Sequence, residues 1–170
     1  TTGATVGSDG YDITLQGSDI YHILRDSGNQ RFYTAGAERM RITSNGSFFY
    51  GTTATRTMSG VASKFFIEGT DYATSSIGIV INANGADDCP ALFFGKSRGT
   101  SDGSNTVVQN GDRLFSMRID GSDGTNLEQA AIIEAHVDGT VANNSIPGRM
   151  TFMTTNSGSQ YATEKMRIDN

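Results

Sequence analysis

One five-residue pattern occurs twice, as Glu38-Arg39-Met40-Arg41-Ile42 and as Glu164-Lys165-Met166-Arg167-Ile168. In each copy Met and Ile alternate with basic residues, the period-two signature of a strand with one face buried and the other in water. A second short strand precedes each copy, Arg31-Phe32-Tyr33-Thr34 in one and Met150-Thr151-Phe152-Met153-Thr154 in the other. The copies are offset by 120 residues at Phe32 and Phe152 but by 126 at Arg39 and Lys165, so the second hairpin carries six more residues. A hairpin repeated at this distance divides the chain into the end of one β-cassette (residues 1–51), a polar seam (52–63) and a second cassette (64–170).

Composition supports many short strands. Glycine accounts for 21 of 170 residues, against an average near 7%, and proline for only 2. Glycines beside Asn, Asp and Ser mark tight turns, so the expected class is all-β: short antiparallel strands, Gly-rich turns and an elongated, fibre-type assembly. Hydrophobic residues make up 36%, few for a compact monomer of this length. The net charge of −5 comes with scattered basic residues, which argues against nucleic acid or an anionic membrane as partner. No apolar run approaches the roughly 20 residues that span a bilayer. The start, Thr1-Thr2-Gly3-Ala4, lacks Met and the features of a signal peptide, which predicts an internal piece of a longer polypeptide. A single cysteine excludes an internal disulfide.

Alternation and turn residues place the remaining strands. They fall at Tyr11–Leu15, Ile20–Leu24, Phe48–Gly51, Lys64–Ile67, Ile77–Asn82, Ala91–Gly95 and Arg113–Ile119. Phe115, Met117 and Ile119 are expected to face inward, and Ile77, Ile79 and Ile81 to share one face. Glu128–Val137 has helix-favouring residues, but Ala131, Ile133, Ala135 and Val137 alternate, and Asp138-Gly139 reads as a hairpin turn; strand is the better reading. Asn45-Gly46 predicts another tight turn.

Catalytic and ligand-binding patterns are weak. Cys89 could be a nucleophile with His22 or His136 as base, but Asp87 and Asp88 beside it oppose a thiolate. Two histidines and one cysteine do not make a closed zinc site without carboxylates. Gly95-Lys96-Ser97 copies the end of a phosphate loop, yet Pro90 stands where the first glycine belongs. Ser8-Asp9-Gly10, Asp102-Gly103 and Asp120–Gly124 read as Asx-type turns, since Ser122 and Gly124 occupy calcium-ligand positions; a loop-bound cation stays open. Asp87-Asp88, Glu128 and Glu134 are the only clustered acids for glycan hydrolysis, and neighbours in a strand point apart. Tyr11, Tyr21, Phe49, Tyr50, Tyr72 and Tyr161 are candidates for receptor contact or for packing. Arg39, Arg41, Lys165 and Arg167 form the expected wet side of the repeated strand. No catalytic residue, cofactor or metal ligand is assigned, and the chain is read as non-enzymatic.

Several segments appear in one order: Gly95–Gly99, Asp120–Thr125, Ala130–Ala135, Val137–Thr140, Ile146–Phe152 and the closing Glu-Lys-Met-Arg-Ile-Asp. That order resembles the repeat cassette of bacteriophage tail fibres and related virion appendages, over about residues 60–170, with 1–51 resembling the end of a preceding cassette. Such cassettes typically lie upstream of a C-terminal intramolecular chaperone of the endosialidase type. Asn45-Gly46-Ser47-Phe48-Phe49-Tyr50-Gly51-Thr52 only approximates the turn that usually follows Met-Arg-Ile in the family. Nothing in these residues matches the chaperone's catalytic dyad, so self-cleavage is not assigned. The resemblance implies an extracellular virion segment, a homotrimer bound to other tail proteins. It would space or present a tip that meets a bacterial surface glycan or protein. Alternatives are a carbohydrate-binding adhesin module and a fragment of a polysaccharide-degrading tailspike.

Overall fold

The computed structural model describes residues 28–54 and 56–170. These residues form ten strands in two mixed sheets, with no helix among them. The first sheet holds β1 (Gln30–Thr34), β2 (Ala37–Ile42), β3 (Phe48–Tyr50) and β6 (Phe65–Ile67), in the order β1-β2-β3-β6. The second holds β4 (Thr57–Met58), β5 (Val61–Ala62), β7 (Arg113–Ser122), β8 (Leu127–Val137), β9 (Gly148–Thr155) and β10 (Ala162–Ile168). Its order is β10-β9-β8-β4-β5, with β7 on the other side of β8. The expected strands at Tyr11–Leu15 and Ile20–Leu24 lie outside the described residues.

Pairing is antiparallel except where β3 meets β6 and β4 meets β8. Strands joined by a tight turn must pair antiparallel, whereas a longer excursion permits a parallel return. The β4–β5 hairpin is such an excursion: it leaves β3, joins the second sheet through Met58 opposite Leu127, and returns as β6 beside β3. The polar seam at 52–63 therefore carries a hairpin. Several strands are also longer than expected; β7 runs ten residues through Asp120 to Ser122, and β8 runs eleven. Beyond β8, Asp138-Gly139 does not close a tight hairpin; the connection to β9 takes residues 138–147, with its own bridge from Ala142 to Ser145.

The repeated motif folds the same way in both copies. Phe32 pairs with Met40 and Arg31 with Arg41; Phe152 pairs with Met166 and Thr151 with Arg167. In β2 the register steps past Arg39, and in β10 it steps past Lys165, so each copy bulges at the basic residue after Glu. The bulge has a direct consequence for the side chains. In a regular strand residues i and i+3 point to opposite faces; one extra residue between them restores a common face. Glu38 therefore meets Arg41, and Glu164 meets Arg167, each carboxylate gripped by both Nε and Nη2 of its guanidinium. The turn of the second hairpin takes residues 156–161, where the first uses only Ala35-Gly36, and the other two added residues, Thr155 and Ala162, extend the ladder by one pair. Ala35 (φ 51°) and Gly36 (φ 73°) are both left-handed, the geometry that two-residue hairpins require.

Two expectations are overturned. The Met/Ile side of the repeated strand is not the buried one. Residues opposite one another across strands share a face, which puts Phe32, Met40, Ile42, Phe48, Tyr50, Phe65 and Ile67 together on the first sheet. That face is open at Phe32, Ile42, Tyr50 and Phe65, which are 38–58% exposed, with Met40, Phe48 and Ile67 half-buried among them, while Phe49 and Phe66 on the Arg41 side are buried. The second sheet repeats this. Phe115, Met117, Ile119, Ile133, Met150, Phe152, Met166 and Ile168 share one face, with Met117, Ile119, Met166 and Ile168 about half exposed. Its polar face carries buried Ile132, Glu134 and Thr151. Arginine stems lie over the polar faces while their heads find carboxylates, and among the described residues the apolar faces stay largely exposed apart from Phe94 on Phe115.

The second correction concerns Ile77–Asn82 and Ala91–Gly95, which join no ladder. Among residues 76–96 the one backbone–backbone hydrogen bond runs from Asp88 N–H to the Gly85 carbonyl (3.4 Å). A strand requires a neighbour for its peptide groups, and the described part of the chain offers none here.

Candidate functional site

Polar side chains of the second sheet converge on Glu134, in the middle of β8. Its carboxylate accepts from Ser116 Oγ (3.2 Å) and faces Arg113 Nε (3.0 Å) and His136 Nε2 (2.9 Å). Arg113 and Ser116 reach it from β7 because each stands opposite His136 or Glu134 in register. Further along, Arg149 Nη1 donates to Asp138 Oδ1 (2.7 Å). The two acids considered together, Glu128 and Glu134, stand six residues apart on one strand, roughly 20 Å. That is well beyond the roughly 5–9.5 Å of paired glycosidase carboxylates. Asp87 and Asp88 lie in a turn rather than a strand.

A second hub, unmarked by any sequence motif, is Asp112 at the foot of β7. Arg98 donates to it through Nε and Nη2 (2.7 Å each), the Gln109 N–H donates at 3.0 Å, and Lys96 Nζ lies 3.4 Å away. The Arg98 hydrogen bonds, then the Gln109 amide, hold the Asp112 carboxyl well below the usual carboxylate range. Its carbonyl also accepts the Val137 N–H (2.8 Å), so one residue ties the 96–112 loop to the end of β8. The same logic lowers Glu38 and Glu164 through Arg41 and Arg167, and raises those arginines in turn.

The other singled-out residues are mostly engaged locally or far from a partner. Cys89 is exposed and makes no hydrogen bond to a base among the described residues, while His136 is held by Glu134. His22, Tyr11, Tyr21 and Ser8-Asp9-Gly10 lie outside the described residues. In the phosphate-loop-like stretch, Lys96 serves Asp112, and Ser97 Oγ accepts from the N–H groups of Gly99 and Thr106. Asp123 accepts from the Thr125 and Asn126 amides (2.7 Å each), an Asx turn, and Asp120 accepts from Ser59 Oγ (2.9 Å). Asp102 makes no side-chain hydrogen bond to the described residues. Among those residues, no three His, Cys, Asp or Glu side chains gather where a metal could sit. Phe49 is buried, whereas Tyr72 and Tyr161 are exposed. Tyr50 lines an open recess with Arg39, Glu68, Thr70 and Thr74.

No protein-family model and no curated protein sequence matches the chain. Its functional surface must be argued from geometry. Glu38, Asp112, Glu134 and Glu164 are tied into ion pairs with neighbouring basic side chains. Exposed apolar side chains gather on the Met/Ile face of each sheet and in the unladdered stretch from Ile77 to Phe94. Sequence reasoning missed a third Met-Arg-Ile triplet, Met117-Arg118-Ile119, whose continuation into Asp120 copies Met166–Asp169. It too presents Met and Ile on the open face. The candidate site is thus an interface rather than a cleft.

Proposed function

We propose that the chain is a non-enzymatic structural segment of a phage tail fibre or similar virion appendage. It would work as a homotrimer that spaces or presents a host-receptor-binding tip and that contacts other tail proteins. The observation that carries this reading is the uncovered Met/Ile face in both sheets. Large contiguous apolar surfaces mark association sites in soluble proteins. Three copies facing one axis would bury all of them with one repeated contact, and the ordered cassette resemblance supplies the setting. Three identical chains would also multiply weak receptor contacts through avidity. Sedimentation of the folded protein tests the reading: a mass of three chains is expected, and a monodisperse single chain across concentrations would overturn it.

One observation favours a second reading, a carbohydrate-binding adhesin module. The recess beside Tyr50 brings a ring together with Arg39, Glu68 and the Thr70 and Thr74 hydroxyls, a combination that suits a sugar's apolar face and hydroxyl rim. Specific binding on a glycan array, abolished by Tyr50→Ala with the fold retained, would support it.

A further inference from the structure

The stretch between Ser76 and Gly95 is written as two strands and yet pairs with no strand among the described residues. Ile77, Ile79 and Ile81 alternate with Gly78 and Val80, and Leu92 and Phe94 flank Phe93. Each limb therefore carries apolar side chains on both faces, the pattern of a strand covered on both sides. Among the described residues they stay largely open: Val80 is 83% and Phe93 94% exposed, and Phe94 alone meets another ring, that of Phe115. The Gly85–Asp88 turn links the limbs and carries Asp87 and Asp88, which no cation pairs among the described residues, together with exposed Cys89.

We infer that residues 76–95 form an exchange arm: its limbs add to a second copy of this chain, along the free edge of β7 and over the face lined by Met117 and Ile119. This deepens, and rests on, the homotrimer proposed above. The chain contains both halves of the match. On the donor side are unpaired peptide groups with apolar side chains. On the acceptor side, β7 pairs only with β8 among the described residues, which leaves the other edge of a ten-residue strand without a partner there, beside a half-exposed apolar face. Open edges and unpaired apolar strands are each an aggregation hazard unless something satisfies them. Satisfying both between copies makes a head-to-tail contact, which closes into a ring when the rotation permits.

The area is sufficient. Ile77, Ile79, Val80, Ile81, Leu92, Phe93 and Phe94 are each 46–94% exposed. At roughly 150–200 Å² per large side chain, they offer about 700–900 Å², what one partner contributes to a standard stable interface. Reach is also sufficient, since a six-residue limb spans roughly 20 Å against roughly 10 Å between packed sheets. The foot of the arm is fixed: Phe94 packs on Phe115 of its own β7 at 4.6 Å between ring centres, and Lys96 and Arg98 hold Asp112. The acidic tip can remain in water while the limbs are covered.

Hydrogen–deuterium exchange on the unmodified assembled protein is the first test. The amides of residues 77–82 and 91–95 are expected to exchange at least ~100-fold more slowly than unprotected peptides; unprotected exchange in a protein that sediments as a trimer would overturn the arm alone. The second test identifies the acceptor. Chains with Cys89→Ser carry either Val80→Cys or Ile119→Cys, and the two are co-expressed and gently oxidised. A covalent pair of unlike chains is expected. Its absence from a correctly sized trimer that contains both kinds of chain would overturn the exchange. A single-chain mass would instead remove the homotrimer itself.

Discussion

Phe66→Ala tests whether the small core of the first sheet is where the fold places it. Phe49 and Phe66 face each other across the parallel β3–β6 pair and are both buried, with ring centres 6.3 Å apart in an edge-on arrangement. Full burial of such a side chain stabilises by roughly 1.5–3 kcal/mol, and truncation adds a cavity term that brings losses at aromatic core positions to roughly 3–5 kcal/mol. An open-sided sheet can relax around the gap, so about 3 kcal/mol is expected. Phe49→Ala should lose a similar amount, and the pair should show about 0.5–1.5 kcal/mol of coupling in a double-mutant cycle. The same two strands provide a control on their other face. Phe48 and Phe65 also stack, at 5.0 Å and nearly parallel, but Phe65 is 58% exposed. Phe65→Ala should cost about 1–2 kcal/mol at low protein concentration and, under the proposed homotrimer, more as association covers that face, whereas the Phe66→Ala loss should not depend on concentration. Denaturant unfolding followed by circular dichroism at several concentrations measures all of these. A Phe66→Ala loss below about 1 kcal/mol, or no coupling with Phe49, would refute the placement of the core.

Three further outcomes follow from local geometry. Asp112→Asn should weaken the anchoring of the 96–112 loop, seen as faster proteolysis within it. Because the folded carboxyl titrates below its ordinary value of 3.8, its stabilising contribution is complete well above that value and is lost as pH falls below it. The gap between wild type and variant should therefore narrow in acid, and a gap that widens would contradict the ion-pair assignment. Ala35→Gly should stabilise the first hairpin by about 0.5–1 kcal/mol, since a left-handed alanine costs roughly 1–2 kcal/mol and glycine gives part of that back as unfolded-chain entropy; thermal unfolding checks the sign. Gly51→Ala should cost about 2 kcal/mol or more, because Gly51 has φ 78° and an added Cβ would run into the Glu68 carbonyl oxygen. Unchanged stability there would show that β3 and β6 do not approach as described.

The strands were legible wherever alternation met a turn dipeptide. β2, β3, β8 and β10 fall where Glu-Arg-Met-Arg-Ile, Phe48–Tyr50, the Ala/Ile alternation and the closing repeat place them. The helix-like residues of β8 did not mislead, because period two outweighs propensity when neighbours are strands. Other features were not legible. The bulges at Arg39 and Lys165 leave no mark in composition; they appear only once the partner strand fixes which residue is extra. Without them Glu38 and Arg41 would be assigned to opposite faces, and the ion pair that both copies share would go unseen. Burial misled for a different reason. Alternation reports which residues share a face but not whether the chain itself covers that face, and here the apolar side was expected inside. Ile77–Asn82 and Ala91–Gly95 show the same gap, since a sequence can encode a strand whose partner lies elsewhere. The Asp112 hub was invisible because its donors, Lys96, Arg98 and the Gln109 amide, converge only through a loop.

Those two layers of information also explain why the motif has its particular form. Hydrophobic association has no direction of its own and cannot select a register. Under the proposed function, a slip of one residue would turn Met and Ile toward the polar side and leave nothing for another copy to bind. Register must therefore be set before association, by contacts that tolerate no slip. The bulge after Glu and the two-pronged Glu–Arg grip meet that need, because both depend on one residue facing one particular partner. Under the proposed function, each Glu-Arg/Lys-Met-Arg-Ile copy combines the two roles within five residues: Glu and Arg hold the strand in place on one face, while Met and Ile are presented on the other. A fibre built from successive cassettes needs that same presentation at every level. It is what a motif repeated 126 residues apart, with the same bulge and the same ion pair in both copies, would provide.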